Sequence, residues 1–418
     1  MNKKRYADKP LNSGELREQP LPFAVWGEQF IDDEARKQME RAMQLSVSAA
    51  GALMPDAHVG YGLPIGGVLA TDNAVIPYAV GVDIACRMRM TIYLVSPILL
   101  AQKSGQFKRT LLEETRFGAG VVYRSHEQVE HPVLDDPDWN ATTLLRSLKT
   151  TAFGQLGTSG TGNHFVEWGS FKLDEASTDL DLEKGSYLAL LSHSGSRGVG
   201  FKIANFYSKL AKEMHPDLDS SVSNLAWFDL DSHYGQEYWL SMELAGRFAS
   251  ANHEVIHRRV SAAAGLKPAA VIENHHNFAW RETMPAPAGF DAPEREVIVH
   301  RKGATPAGQG VLGIIPGSMG DEGYVVRGRG EVRSLNSASH GAGRAMSRKK
   351  AISSITKTER DKYLRSKNIT LLGGGLDEAP QAYKRIGDVI GAQRDLVDII
   401  GTFTPIMVRM AEDGKDEG

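Results

Sequence analysis

Five side chains, far apart in the chain but each beside glycine or another small residue, are of types that bind metal. They are Asp83 and Cys86 in the run Asp83-Ile84-Ala85-Cys86, His164 after Asn163, His193 in Ser-His-Ser-Gly-Ser-Arg, and His276 in Asn-His-His-Asn. A carboxylate, a thiolate and three imidazoles exceed what one tetrahedral ion needs, and they suit two divalent ions bridged by the sulfur. Ligand softness leaves zinc and manganese equally open. Read singly, each histidine is as readily a hydrogen-bonded structural residue, and Cys86 a small buried hydrophobe. In an extended strand Asp83 and Cys86 would face opposite sides. They share one centre only if the strand is broken there, as Gly81 just upstream allows.

A second group of motifs suits phosphate. Ser194-Gly195-Ser196-Arg197-Gly198, Pro316-Gly317-Ser318-Met319-Gly320 and Ser339-His340-Gly341-Ala342-Gly343-Arg344 combine glycine with hydroxyls or arginine. Glycines let consecutive backbone N–H groups converge on an anion, and a following helix start adds a favourable dipole; Arg344–Lys350 is expected to be such a helix. No P-loop motif is present. His340, flanked by Ser339 and glycine, is placed to act as a base or as a nucleophile on phosphorus, or else is a turn histidine. Basic residues gather around these loops: Arg301, Lys302, Arg327, Arg329, Arg333, Arg344, Arg348, Lys349 and Lys350. Such a patch suits an RNA backbone, which is bound through its phosphates. Asp56 and His58 alternate on one strand face and read as supporting residues rather than ligands.

The elements that must position these residues follow from hydrophobic spacing. A lead-in of about 45 residues ends in a helix over 32–46, with Ala35, Met39, Ala42 and Met43 at helical intervals. Gly51–Gly81 and Met88–Leu94 read as strands joined by tight turns. Residues 96–150 mix helix and loop, and 158–168 and 187–200 form a second strand–turn block. A helical block over 201–264 follows, then short strands and glycine turns over 297–343, with helices expected from there to the end. No repeat and no clear linker divides the chain. The expectation is one integrated α+β domain over 1–418, with mixed sheets and flanking helices around a central metal-binding cleft.

Composition narrows the function classes. A chain of 418 residues with 41% hydrophobic and 24% charged residues is globular, and a formal charge of −3 confines any polyanion site to a local patch. The single cysteine excludes an internal disulfide framework. The polar first 21 residues carry no secretory signal and no run is long enough to span a membrane, so a cytoplasmic protein is expected, without a membrane partner.

The blocks Met54–Gly60, Val80–Cys86, Gly160–Phe165, Ser192–Gly198, Asn274–Asn277, Arg301–Ala304, Ile315–Gly320 and Ser339–Arg344 together resemble, in family order, the RtcB RNA-splicing ligase family. The resemblance implies an enzyme that joins an RNA 3′-phosphate or 2′,3′-cyclic phosphate end to a 5′-hydroxyl, in tRNA splicing or RNA repair, using GTP and two Mn2+ ions. It implies Asp83, Cys86 and His164 on one metal, Cys86, His193 and His276 on the other, His340 as the guanylylated nucleophile, and Arg197 on phosphate. Contacts to the guanine nucleotide are implied for Asn163, Phe165, Val166, Glu167, His276, Asn277, Pro316, Gly317, Ser318, Met319, His340 and the Gly341-Ala342-Gly343 run. Two positions depart from the family pattern. Gly323 stands where the family has a serine, and Arg409 where its carboxyl-terminal lysine meets the nucleotide. An RNA-end phosphohydrolase or cyclic phosphodiesterase without ligation is the alternative these departures raise. No motif names a protein activator.

Overall fold

The computed structural model describes residues 14–284 and 294–412. It is an α+β structure built on two sheets. The larger, eight-stranded sheet runs Leu312–Ile315, Gly323–Gly328, Val397–Met410, Phe165–Leu173, Gly185–Ser194, Arg87–Tyr93, Ala270–His275 along an antiparallel path, with Thr370–Leu372 added parallel to Val397–Met410. The smaller sheet has five strands in the order Ala24–Val25, Ser48–His58, Ile65–Thr71, Arg295–Lys302, Asn277–Met284.

Side chains of the larger sheet alternate between two apolar layers, as the two-residue period of a strand requires. Val166, Trp168, Leu188 and Leu190 pack on Phe107, Leu111, Ile256 and Val260 of the helices on one side. Phe165, Phe171, Leu191 and Val408 face the other way, against Leu364 and Ile369. Behind the first layer runs the 32-residue helix His233–Ala264, started by Ser232, whose hydroxyl accepts the Gly235 N–H, and stopped by Gly265 at φ 69°. It packs with Thr143–Gln155 and Arg197–Met214 around Trp139, Tyr207, Tyr238 and Phe248.

Most expected elements form, with shifted ends. The first helix is Asp33–Met43, and the expected strand at 88–94 is Arg87–Tyr93. Three expectations are corrected. The chain does not end in helices: Val397–Met410, a 14-residue strand rich in β-branched and aromatic residues, lies inside the larger sheet. The segment expected as helix from Arg344 begins one only at Arg348, because Arg344 is held in a bridge to Tyr383 and Ser347 caps the later start. The strand block expected to reach residue 200 gives way at Arg197 to the helix Arg197–Met214. Residues 1–13 of the lead-in lie outside the described residues.

Candidate metal and nucleotide site

Neighbouring antiparallel strands deliver the metal-type side chains to one edge of the larger sheet. His164 precedes Phe165–Leu173, His193 sits near the end of Gly185–Ser194, Cys86 precedes Arg87–Tyr93, and His276 follows Ala270–His275. Alternate strand starts and ends meet there because adjacent strands run in opposite directions. His276 is also the single residue between the last strand of one sheet and Asn277–Met284 of the other. The two sheets therefore meet at a metal-type residue.

The turn into Arg87–Tyr93 solves the facing problem of Asp83 and Cys86. The helix Pro77–Val80 ends at Gly81, with φ 101°, and Ala85 takes a left-handed φ of 56°. That conformation costs a non-glycine residue roughly 1–2 kcal/mol. It is held by the Ala85 N–H to Asn277 O bond at 2.7 Å and by Asn277 Nδ2 donating to Asp83 O at 3.2 Å. Two glycines make room. A Cβ on Gly195 would meet Asp83 Oδ1 at 2.3 Å, and one on Gly160 would overlap the Arg197 guanidinium at 1.4 Å. Here the glycines serve close packing of charged groups.

Cys86 Sγ lies 3.3 Å from His164 Nε2 and 3.1 Å from His193 Nε2, and His193 Nε2 lies 3.2 Å from His276 Nε2. Asp83 Oδ2 is 3.1 Å from His164 Nε2. Ligands at metal bonds of about 2.0–2.3 Å in a tetrahedron sit about 3.5 Å apart, so these separations fit a divalent cation among them. Asp83 Oδ1 and His276 Nδ1 are buried without a hydrogen-bond partner among the described residues. Burial, and then the charge of Asp83, push the Cys86 thiol well up. Burial drives His193 and His276 well down and keeps them neutral. Burial would raise Asp83, but the His164 hydrogen bond and the Arg197 charge outweigh it and hold this carboxyl below the usual range. Neutral imidazoles, an ionised carboxylate and a thiol whose ionisation needs a nearby cation are a donor set for a metal.

Arg197 reaches back over this cluster, 3.1 Å from His164 Nδ1 and 3.5 Å from Asp83 Oδ2, from a backbone at φ 55°. His340, just after the short strand Ser337–Ser339, brings its ring to 4.9 Å from that of His276. Asp56, fully buried on the Ser48–His58 strand, accepts from His340 Nδ1 at 2.7 Å and from its backbone N–H at 3.1 Å. Burial raises the Asp56 carboxyl, but the His340 hydrogen bond and neighbouring positive charge leave it below its ordinary value, hence ionised. An ionised Asp56 holds the Nδ1–H, so in the neutral ring Nε2 is the nitrogen that carries the free lone pair. Asp56 reads from the sequence as a supporting residue, and in the structure it supports His340.

These groups open into one cavity of about 980 Å³, lined by all five metal-type residues, Asn163, Phe165, Arg197, Asn277, Pro316, Gly317, Ser318, Met319, His340 and the Gly341-Ala342-Gly343 run. Val166, Glu167, Gly323 and Arg409 are not in that lining. Glu167 is buried on the same sheet face as Phe165, and burial pushes its carboxyl well up. Gly323 faces the neighbouring loop, where an added Cβ would meet Pro316 Cα at 3.3 Å. Arg409 pairs with Val166 in register, so it shares the helix-covered face of the sheet. Its guanidinium donates to Leu111 O and lies over the Phe117 ring, 5.7 Å from the centroid.

The basic cluster divides. Lys302, Arg344, Arg348 and Lys349 line the cavity, whereas Arg327 and Arg329 pair with Asp179 and Asp398 at the surface. Arg301 is buried against Trp280 and paired with Glu282. Burial pulls Lys302 down to about 7. Arg348 is pinned by Asp377 and Glu378, and Glu378 also meets Arg344 at 3.4 Å. The cavity thus joins a metal-type cluster, a histidine with one fixed nitrogen, glycine turns and cations, the combination that phosphoryl chemistry requires.

The profile of the family described as tRNA-splicing ligase RtcB matches residues 38–144 and 137–411. The chain is 31% identical to the RNA-splicing ligase RtcB of Escherichia coli strain K12, over 95% of this chain and 99% of that protein. It is 31% identical to the tRNA-splicing ligase RtcB of Nanoarchaeum equitans, over 85% and 87% of the two chains. It is 30% identical to the RNA-splicing ligase RtcB of Mycobacterium tuberculosis, over 85% and 96%.

Proposed function

The chain belongs to the RtcB family of tRNA-splicing ligases, and from that premise we propose that it is a GTP- and manganese-dependent RNA ligase of the cytoplasm. It joins RNA 3′-phosphate or 2′,3′-cyclic phosphate ends to 5′-hydroxyl ends through a guanylate carried on His340. The observation that carries this reading is the His340–Asp56 pair set against the Cys86–His193–His276 cluster.

Asp83, Cys86, His164, His193 and His276 would hold the metal, which when bound neutralises phosphate charge and polarises the phosphorus under attack. His340 Nε2, with Nδ1 committed to Asp56, attacks the α-phosphorus of GTP, and pyrophosphate leaves. A 2′,3′-cyclic phosphate end is first opened by water to the 3′-phosphate; the guanylate then passes to the RNA 3′-phosphate, and the 5′-hydroxyl displaces GMP. Arg197, Lys302, Arg344 and Arg348, all on the cavity wall, bind the phosphates of nucleotide and RNA. Asn163, Phe165, Asn277, Ser318 and the Gly341-Ala342-Gly343 run line the space left for the nucleotide.

Incubation with α-labelled GTP and Mn2+ tests the assignment, with ATP and Zn2+ in parallel arms. The wild type takes up covalent label from GTP, His340→Ala takes up none, and Asp56→Asn labels about 10–100-fold more slowly, the usual scale for a residue orienting a reacting group through a hydrogen bond. Equal labelling of wild type and His340→Ala sinks the nucleophile. Because no side chain at Gly323 faces the Pro316–Gly317 loop and Arg409 stays on the far face, hydrolysis without joining is the second reading. RNA with a cyclic phosphate end, given its 5′-hydroxyl partner, separates them: a joined product excludes hydrolysis alone.

A further inference from the structure

The helix His233–Ala264 contributes nothing to the cavity wall, yet one of its side chains ties together the two loops that carry His164 and His193. Asn252 is fully buried. Its Oδ1 accepts the Gly157 N–H at 2.7 Å, while Nδ2 donates to Thr158 O at 2.9 Å and lies 3.3 Å from Ser194 Oγ and 3.4 Å from Gly195 O. Ser194 Oγ in turn donates to Ser159 O at 3.1 Å, closing a ring of bonds between the loops. Every one of these partners lies close in sequence to a metal-type residue: 157–159 lead into His164, and Ser194 and Gly195 follow His193.

Strand pairing alone does not fix this geometry. The ladder between the two strands stops at the Phe165–His193 pair, so His164 sits one residue beyond it, on the loop that starts at Gly157. That loop must return over His193, whose Nδ1 lies 3.1 Å from Asn163 O. An amide is the one side chain that offers both an acceptor and two donors in one plane, which this junction of an N–H and several oxygens uses in full. On the other side of His193, Ser192 Oγ is held between His253 Nδ1 at 2.7 Å and His257 Nε2 at 2.8 Å, from the same helix. His193 is therefore flanked on both sides by residues anchored to this helix.

We propose that Asn252 is a positioning residue for the metal centre. By joining Gly157–Thr158 to Ser194–Gly195, it sets the separation of the His164 and His193 ring nitrogens, and with it the affinity and coordination geometry of the bound cation. The inference rests on Cys86, His164, His193 and His276 being the ligands. Removing a partner that orients a ligand through such bonds weakens metal binding by about 10–100-fold.

Co2+ added to the metal-free protein is the probe, because a bound thiolate gives a near-ultraviolet charge-transfer band and the visible bands report coordination geometry. Asn252→Asp keeps the shape and the acceptor but removes both donors. It is expected to bind Co2+ about 10–100-fold more weakly than wild type, with altered visible bands. Leu145→Ala, a core truncation away from the cavity, provides a destabilised control that keeps the wild-type affinity and spectrum. Should Asn252→Asp fail to fold, Ser194→Ala removes one member of the ring and is expected to weaken Co2+ binding several-fold. Wild-type affinity and bands in the folded variants overturn the proposal. Failure of the wild type to give a thiolate band overturns the ligand assignment beneath it, and that result is distinct because it appears before any variant is made.

Discussion

The histidines of the cavity and those of the helix-packed core are equally hidden from water, and only the direction of their lone pairs separates them. His193 and His276 are 5% and 2% exposed, His257 and His300 are 3% and 0%, and burial lowers all four. His300 is satisfied on both sides, Nδ1 against Leu69 O at 3.2 Å and Nε2 receiving the Ile76 N–H at 2.9 Å. His257 meets Thr91 Oγ1 at 2.7 Å and Ser192 Oγ at 2.8 Å. In the cavity, by contrast, His193 Nε2, His276 Nε2 and Cys86 Sγ point at one another. Lone pairs converging on a common space, rather than burial or a displaced pKa, mark the candidate ligands.

The largest expected effect tests that distinction directly. Cys86→Ala or His193→Ala is expected to weaken Co2+ or Mn2+ binding by more than about 100-fold, beyond the usual effect of a residue that only supports a ligand. His300→Gln is expected to bind metal as wild type does, while losing about 1–3 kcal/mol of stability because the Ile76 N–H or the Leu69 carbonyl loses its partner. Metal titration and denaturant unfolding of the metal-free proteins give the two readouts. The distinction breaks if His300→Gln loses the metal as Cys86→Ala does.

A pH series sharpens it. Burial takes His300 from 6.5 down to about 4, so between those values the unfolded chain binds a proton that the folded chain refuses. Stability therefore falls as pH drops from about 6.5 towards 4, by up to about 1.4 kcal/mol per pH unit for each such histidine, and is unaffected by it at higher pH. His257, also driven well down, adds to the same slope. Unfolding midpoints of the metal-free protein at pH 7.5, 6 and 5 measure it. His300→Gln should lose stability less steeply than wild type over this range, and an unchanged slope would remove His300 from the account.

The sequence exposed the reactive parts better than their supports. Cys86, His164, His276 and His340 stand beside small residues in loops and His193 beside them near a strand end, and these do meet in one cavity. Breaking the strand after Gly81 was foreseeable from the opposite facing of Asp83 and Cys86. The Asp56–His340 bond was not, because its partners lie 284 residues apart and no local pattern encodes it. Nor was Asn252, which reads as an ordinary polar residue in a helix until the loops around it are placed. Charge clustering misled for the same reason: Arg301 lies next to Lys302 in sequence, but strand alternation sends it to Glu282 and Trp280 instead of the cavity. The long last strand was hidden by its surroundings, since a short helix, Ile386–Gly391, and a mixed apolar run precede it.

The smallest expected effect concerns that last strand, where the period of two decides which residues face the cavity. Arg409 pairs with Val166, and Met410 with Phe165, so the two neighbours face opposite sides, and of the two only Met410 lines the cavity. A positive charge at 409 would have to cross the sheet to reach a guanine nucleotide, and a strand paired on both edges does not permit a one-residue slip without reversing every side chain along it. Arg409→Ala is therefore expected to leave guanylylation by GTP within about twofold of wild type. It removes the bond to Leu111 O and the contact with Phe117, lowering stability by about 0.5–1.5 kcal/mol. Guanylylation rates at several GTP concentrations, set beside a denaturant curve, separate the outcomes. A KM for GTP raised tenfold with stability intact would mean that the nucleotide draws on the helix-covered face of the sheet, and the division between the cavity and that face would have to be redrawn.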